Sequence, residues 1–173
     1  MSKLKIYSAM RMTGRYQDEL VQEANLLKRT LENYGYEVLN PVIEEKVVPV
    51  HEVLEQLDPE RLERYWQRDK ECLKEAHIVL DYKSCNKSDG VGVELALSRF
   101  CYWKPTVRIF PNSGICISRI EYDEVFYTLE EALLYMSKHY RTKRQLLFWR
   151  VNMLVKSLPQ WLWLQIKFIG DLL

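Results

Sequence analysis

Apolar β-prone segments that alternate with amphipathic helical ones predict an α/β fold: a flavodoxin-like three-layer sandwich on a five-stranded, mainly parallel sheet, plus a C-terminal helical extension. Three observations carry this. Short runs such as KIYSA, HIVLDY and TVRIF are strand-like in length and composition. Longer stretches between them repeat apolar residues at helical spacing. The turns hold Gly, Pro and Asn at the boundaries.

In order along the chain, residues 4–9 form the first strand, and Gly14 falls in the turn after it. From residue 15 to 34, Leu20, Val21, Ala24, Leu27 and Leu31 share one helical face, and Gly35 stands where a C-cap belongs. Residues 36–39 are a second strand, stopped by Asn40-Pro41. Residues 42–59 are mixed, with a β-like VVPV and a candidate helical turn around 51–57. A charged helix over 59–76 turns Leu62, Trp66, Leu73 and Ala76 inward. Residues 77–82 are the third strand, 83–90 a loop, and 91–102 a helix. Residues 106–110 and 124–127 are the fourth and fifth strands. Thr128 and Glu131 have capping-box spacing ahead of a helix over 129–140. The expected organisation is an α/β domain over 1–140 and an amphipathic helical tail over 141–173.

Composition narrows the class. The 173 residues are 47% hydrophobic, ordinary for one globular domain. A net charge of +1 argues against nucleic-acid binding over the whole surface. Charge is uneven, however: residues 138–173 hold seven Lys/Arg against the single acid Asp171. The four cysteines, Cys72, Cys85, Cys101 and Cys116, make no CxxC pair and no zinc-ligand spacing. Neither a metal nor another cofactor is expected. The start MSKLKIYSAM has no signal-peptide pattern, and reduced cysteines suit a cytoplasmic protein.

Ligands of open α/β sheets bind at the carboxyl ends of the strands. Two loops there can carry chemistry. The first, Ser8 to Arg15, leads into a helix N-terminus that favours anions, and Arg11 and Arg15 add forked donors suited to phosphate. A solvated turn with two surface arginines is the plainer reading. The second is Ser88-Asp89-Gly90-Val91-Gly92-Val93-Glu94-Leu95. Gly90 and Gly92 permit a tight turn and close backbone approach. Glu94 is expected in the first helical turn, held ionised by the dipole and free N–H groups, as a nucleophile requires. An ordinary helix-end acid fits the same spacing. Asp69 at mid-helix reads as a solvated acid, and Tyr7 as a core tyrosine.

Together these segments resemble the nucleoside 2-deoxyribosyltransferase superfamily, and within it the 2′-deoxynucleoside 5′-monophosphate N-glycosidases. The pieces are Ile6-Tyr7 and Met10-Arg11 after the first strand, Asp69 ahead of His77-Ile78-Val79-Leu80, the run Ser88-x-Gly90-Val91-Gly92-x-Glu94-Leu95, Lys104-Pro105, and Ser113-Gly114 with Ser118. The resemblance spans residues 4–137. It implies that Glu94 is the nucleophile, Tyr7 positions its carboxylate, and Asp69 helps protonate the leaving base or hold the sugar. It puts Met10, Arg11, Arg15, Ser88, Gly90 and Gly92 around a small-molecule nucleotide or nucleoside. Ser118 would reach the phosphate from a neighbouring subunit, which implies a homodimer. Where the superfamily's first loop usually has glycine, this chain has Ser8, Ala9 and Met10. The transferase branch's C-terminal Asn and carboxylate find no counterpart, which favours hydrolysis over base exchange.

The expected function is hydrolysis of a (deoxy)nucleoside 5′-monophosphate through a glycosyl-Glu94 intermediate. The alternatives are a base-exchanging deoxyribosyltransferase and a non-catalytic nucleotide-sensing module. The tail, QLLFWRVNMLVKSLPQWLWLQIKFIGDLL, lies outside the resemblance. Pro159 divides it into two helices. Leu147, Val151, Leu154 and Leu158 make one stripe, and Trp161, Leu164 and Phe168 another. These stripes fit packing on the domain or across a dimer first, with an interfacial helix on a membrane as the rival reading. The longest uncharged stretch there, ten residues over 157–166, is too short to span a bilayer.

Overall fold

The computed structural model describes residues 3–11, 15–44, 59–83, 89–110 and 123–157. Gly14, most of the mixed segment 42–59, Ser88, Ser113, Gly114, Ser118 and the second half of the tail lie outside them. The elements are β1 (Lys5–Met10), α1 (Gln17–Asn33), β2 (Glu37–Leu39), α2 (Pro41–Glu44), α3 (Pro59–Glu75), β3 (Ile78–Tyr82), α4 (Asp89–Ala96), β4 (Thr106–Ile109), β5 (Glu124–Phe126), α5 (Leu129–His139) and α6 (Lys143–Ser157).

The five strands form one sheet in the order β2-β1-β3-β4-β5, and every neighbouring pair is parallel. This is the expected flavodoxin-like arrangement. Its order reverses between β1 and β3, so the crevice outside their carboxyl ends is the topological switch point.

Strand parity sorts the core into two halves, because successive side chains point to opposite faces. Leu4, Ile6 and Met10 join Ile78, Leu80, Val107 and Ile109 under α1 and α5. Tyr7 and Ala9 join Val79 on the other face, beneath Leu73 of α3, Ala76 just after it, and Val91 and Leu95 of α4. Both faces of the sheet are covered, which is why its strands read as continuous apolar runs rather than alternating ones.

Local signals end the helices where the sequence places them. Gly35 adopts φ +90° and donates to the Glu32 carbonyl at 2.9 Å, while Tyr36 donates to that of Leu31 at 3.2 Å. That left-handed turn favours glycine and closes α1. At α5 both halves of the capping box form: Glu131 N donates to Thr128 Oγ1, and Thr128 N to the Glu131 carboxylate. The end of α3 is closed instead by a buried side chain. Lys104 donates through Nζ to the carbonyls of Leu73, Lys74 and Ala76. Those are the orphan acceptors of a helix C-terminus.

One helix departs from expectation. The segment 91–102 is not uniformly α-helical: α4 passes into a π-helical turn over Leu97–Cys101. Ser98 Oγ donates to the Glu94 carbonyl at 2.7 Å just as the winding changes. Single π turns of this kind are frequent at functional sites.

Candidate active site

Two helical stripes and one strand parity bring the acids together. On α3 and the residue just after it, Asp69, Cys72, Leu73 and Ala76 follow the i, i+3, i+4, i+7 pattern of an inward face. On α4 and its continuation, Val91, Glu94, Leu95 and Ser98 follow the same pattern, and all four are buried. Both stripes face the Tyr7 side of the sheet. Tyr7 pairs in register with Val79, and Ala9 with Asp81. Asp81 in turn pairs with Arg108. Thus Tyr7, Asp81 and Arg108 share the sheet face that Asp69 and Glu94 overlie.

The electrostatics follow from burial. Glu94 is 9% exposed, and its carboxyl is pushed well above the usual range. Burial is the largest cause, the charge of Asp69 the next, and Asp81 adds to both. A hydrogen bond from Tyr7 opposes them. Asp69 is raised to about 6, again by burial first, with Tyr7 and then Arg68 pulling the other way. The Tyr7 phenol is raised strongly, by burial and then by the charges of Glu94, Asp69 and Cys72. So one hydroxyl influences two carboxyls. It completes no hydrogen bond of good geometry, however: Tyr7 Oη and Asp69 Oδ1 are buried without a partner among the described residues. Buried polar atoms left this way are rare in folded proteins, and a catalytic role or a bound water or ion is among the explanations for them.

Glu94 therefore corrects the sequence reading in two respects. It is the sixth residue of α4, beyond the first turn whose N–H groups stabilise a carboxylate. Its burial next to two other acids raises its proton affinity rather than lowering it. Asp69 is likewise no solvated acid, because it lies on the packed stripe of α3.

Beneath this group Asp81 and Arg108 form a fully buried ion pair, with Arg108 Nε 3.3 Å from Asp81 Oδ2. The Arg108 guanidinium also stacks 4.7 Å from the Phe110 ring centroid. Sequence reasoning passed over this pair. The signal was present: one acid and one base each interrupt an otherwise apolar strand.

No family model matches the chain, and no curated protein matches it by sequence. Among solved structures it is similar to a 2-deoxyribosyltransferase from Bacillus psychrosaccharolyticus. The TM-score is 0.58 at 23% identity, over 82% of this chain and 95% of that one. The chain has the fold of the nucleoside 2-deoxyribosyltransferases. A second similar structure is Clostridium botulinum CMP N-glycosidase, with a TM-score of 0.46 and 14% identity over 76% of this chain and 97% of that one.

The remaining site candidates scatter. Met10 does not face the acids: its side chain is buried on the α1 face, where Asn40 Nδ2 lies 3.4 Å from its sulfur and 2.7 Å from Ser8 Oγ. Parity is the reason, since Met10 is three residues from Tyr7. Arg11 follows β1 and is half-buried. Arg15 is engaged at 2.6 Å by Glu23, which Lys83 also reaches at 3.2 Å. Burial alone would raise the Glu23 carboxyl, but the hydrogen bonds from Arg15 and Lys83 outweigh it and hold it low. This triad ties the start of α1 to the chain leaving β3. Gly90 and Gly92 are helical residues of α4, not parts of a tight turn, and neither has a positive φ. A Cβ built on either meets open space. Ser88 and Ser118 lie outside the described residues. Among the described residues, no group of three or more His, Cys, Asp or Glu side chains is arranged to hold a metal ion.

Proposed function

We propose that the protein is an N-glycosidase that hydrolyses a (deoxy)nucleoside 5′-monophosphate to free base and sugar phosphate, with Glu94 as nucleophile. One observation carries this reading: the buried carboxyl of Glu94 and the half-buried one of Asp69 both lie within the influence of the buried Tyr7 hydroxyl. Neighbouring buried acids titrate as a pair and resist losing both protons. Near neutral pH the pair then supplies one carboxylate and one acid, which are the two species a double displacement needs.

Once the pair's proton has passed from Glu94, the more deeply buried acid, to Asp69, a Glu94 carboxylate oxygen attacks the anomeric carbon as the carbon–nitrogen bond breaks. The electron pair leaves with the base, which takes the proton held by Asp69. Tyr7 donates to whichever carboxyl is charged, so the proton and the charge exchange places without either anion standing bare. In the second step water attacks the glycosyl-Glu94 ester, gives its proton to Asp69, and frees Glu94. Arg11, at the carboxyl end of β1, and Arg15 are the phosphate ligands of this reading. Arg15 would first have to exchange its Glu23 partner. A free base in place of water would complete a deoxyribosyl transfer through the same ester, the activity named for the Bacillus protein of the same fold.

The test is incubation with a panel of nucleosides, nucleoside monophosphates and bases, with released or exchanged base resolved by chromatography. The expected result is release from monophosphates only, and a loss of roughly 10³-fold or more in Glu94→Gln with ligand binding retained by calorimetry. Base exchange without net hydrolysis would select the transferase. Turnover that survives Glu94→Gln would overturn both, and binding without any turnover in the unaltered protein would point to a sensor.

A further inference from the structure

Helix α6 has two sides of different chemistry. Leu146 is buried in the core beneath α5, and Trp149 packs beside it. The opposite side holds Leu147, Phe148 and Val151, which are 61%, 67% and 47% exposed. This differs from the preferred sequence reading, in which the stripe begun by Leu147 and Val151 packs on the domain or across a dimer. Lys143, Arg144, Arg150 and Lys156 are spread along the helix, and it contains no acid.

The helix is anchored at the amino-terminal edge of the sheet. Arg150 Nε donates to the Trp103 carbonyl at 3.1 Å, shortly before β4 begins. There its charge and that of Lys143 converge with Lys104 and Lys5 on His77, whose imidazole is held low by burial and then by these cations. The acids at this edge, Glu75 and Glu37, are engaged by Lys5. The exposed cationic surface is therefore that of α6 itself.

We propose that this face docks on the surface of an anionic lipid bilayer. A second copy is the poorer occupant. A two-fold contact would set the same patch against itself, cation on cation, with no acid on the helix to relieve it. Nucleic acid would satisfy the cations but leave Leu147, Phe148 and Val151 in water. A headgroup layer satisfies both, because aliphatic and aromatic groups enter the acyl boundary while Lys and Arg reach the lipid phosphates. The sequence after α6 continues in the same vein, with Trp161, Trp163, Lys167 and Phe168 against the single acid Asp171. Among the described residues no helix is long and apolar enough to cross a membrane. Docking by the amino-terminal edge leaves the carboxyl-end crevice facing water.

The experiment is co-sedimentation of the full-length chain with phosphatidylcholine vesicles, with and without phosphatidylserine, at rising salt. The comparison variants are Phe148→Glu with Val151→Glu, and Arg144→Glu. The unaltered protein should sediment with the phosphatidylserine vesicles and be released by salt. The double variant should lose roughly tenfold or more of its partitioning, and Arg144→Glu several-fold, with the thermal midpoint unchanged because all three side chains face solvent. Vesicle binding equal in all three proteins would overturn the proposal. So would a drop in solution mass in the variants without any vesicle binding, which would assign the face to a second copy. Retention of nucleic acid that the variants abolish, again without vesicle binding, would assign it there instead.

Discussion

At the scale of single residues, the site is governed by how much ionisation the interior tolerates. Asp69 is raised to about 6 by burial, so the folded protein holds its proton at pH values where the unfolded chain has lost it. Stability conferred by that proton is present below about pH 4 and is lost as pH rises toward 6. Glu94 has the same sign. Asp69→Asn should therefore stabilise the protein at pH 7 by about 1–2 kcal/mol, after allowing for solvent near a group that is only half-buried, and should flatten the stability profile between about pH 4 and 6. Urea titration across that range checks it. The same variant should remove the limb near pH 6 from the rate of base release. The pair beneath behaves differently. Asp81→Asn leaves the Arg108 guanidinium buried against a neutral amide and should cost about 3–5 kcal/mol, whereas replacing both, as Asp81→Leu with Arg108→Met, should recover most of it. A double-variant loss equal to the sum of the losses at the two positions taken singly would show that the pair has no mutual dependence. Much of this was readable beforehand, because Glu94, Asp69 and Tyr7 stand out as residues. Their ionisation was not, since the helix-end argument sees only α4, while the charges of Asp69 and Asp81 come from other elements.

At the scale of elements, periodicity was the most legible signal and parity the most neglected. Applied to β1, period two separates Tyr7 from Met10 at once, yet both were placed around one ligand. Applied to α4, the spacing Val91, Glu94, Leu95, Ser98 marks Glu94 as an inward residue. Winding itself was not legible: the π turn at Leu97–Cys101 depends on the Ser98 back-bond and on tertiary contacts such as Arg99 with Asp123 at 2.5 Å. The helical setting of Gly92 makes a sharp prediction. Alanine there should raise stability by about 0.5–1 kcal/mol, because helix propensity improves and the new methyl meets nothing among the described residues. If the open space beside α4 receives the sugar, the same methyl should also lower base release by roughly tenfold, close to what ~1.4 kcal/mol of lost binding gives. Thermal unfolding and kinetics on one variant separate the two effects. A gain in stability with unaltered kinetics would place the substrate elsewhere.

At the scale of the whole molecule, the question is whether the chain ends its domain at residue 140, as the change in composition implies. Composition marks residues 141–173 as different because it averages over both sides of a helix, and α6 has two. Arg141 N and Thr142 N both donate to Gln145 Oε1 at 2.9 Å, so the link from α5 turns tightly into α6. Leu146 then enters the same cluster as Met136 and Tyr140. A helix held this way contributes to the cooperative core, whereas a detachable tail would not. Leu146→Ala should therefore lower the unfolding free energy by about 2–4 kcal/mol, the usual range for removing a buried leucine. Its neighbour Leu147→Ala, on the exposed side, should change it by less than about 0.5 kcal/mol. Both can be read from urea midpoints with an unchanged slope. Similar small effects at the two positions would mean that the α/β domain folds without α6. The docking surface would then be carried on a tether, and the fixed orientation of the crevice toward water would be lost with it.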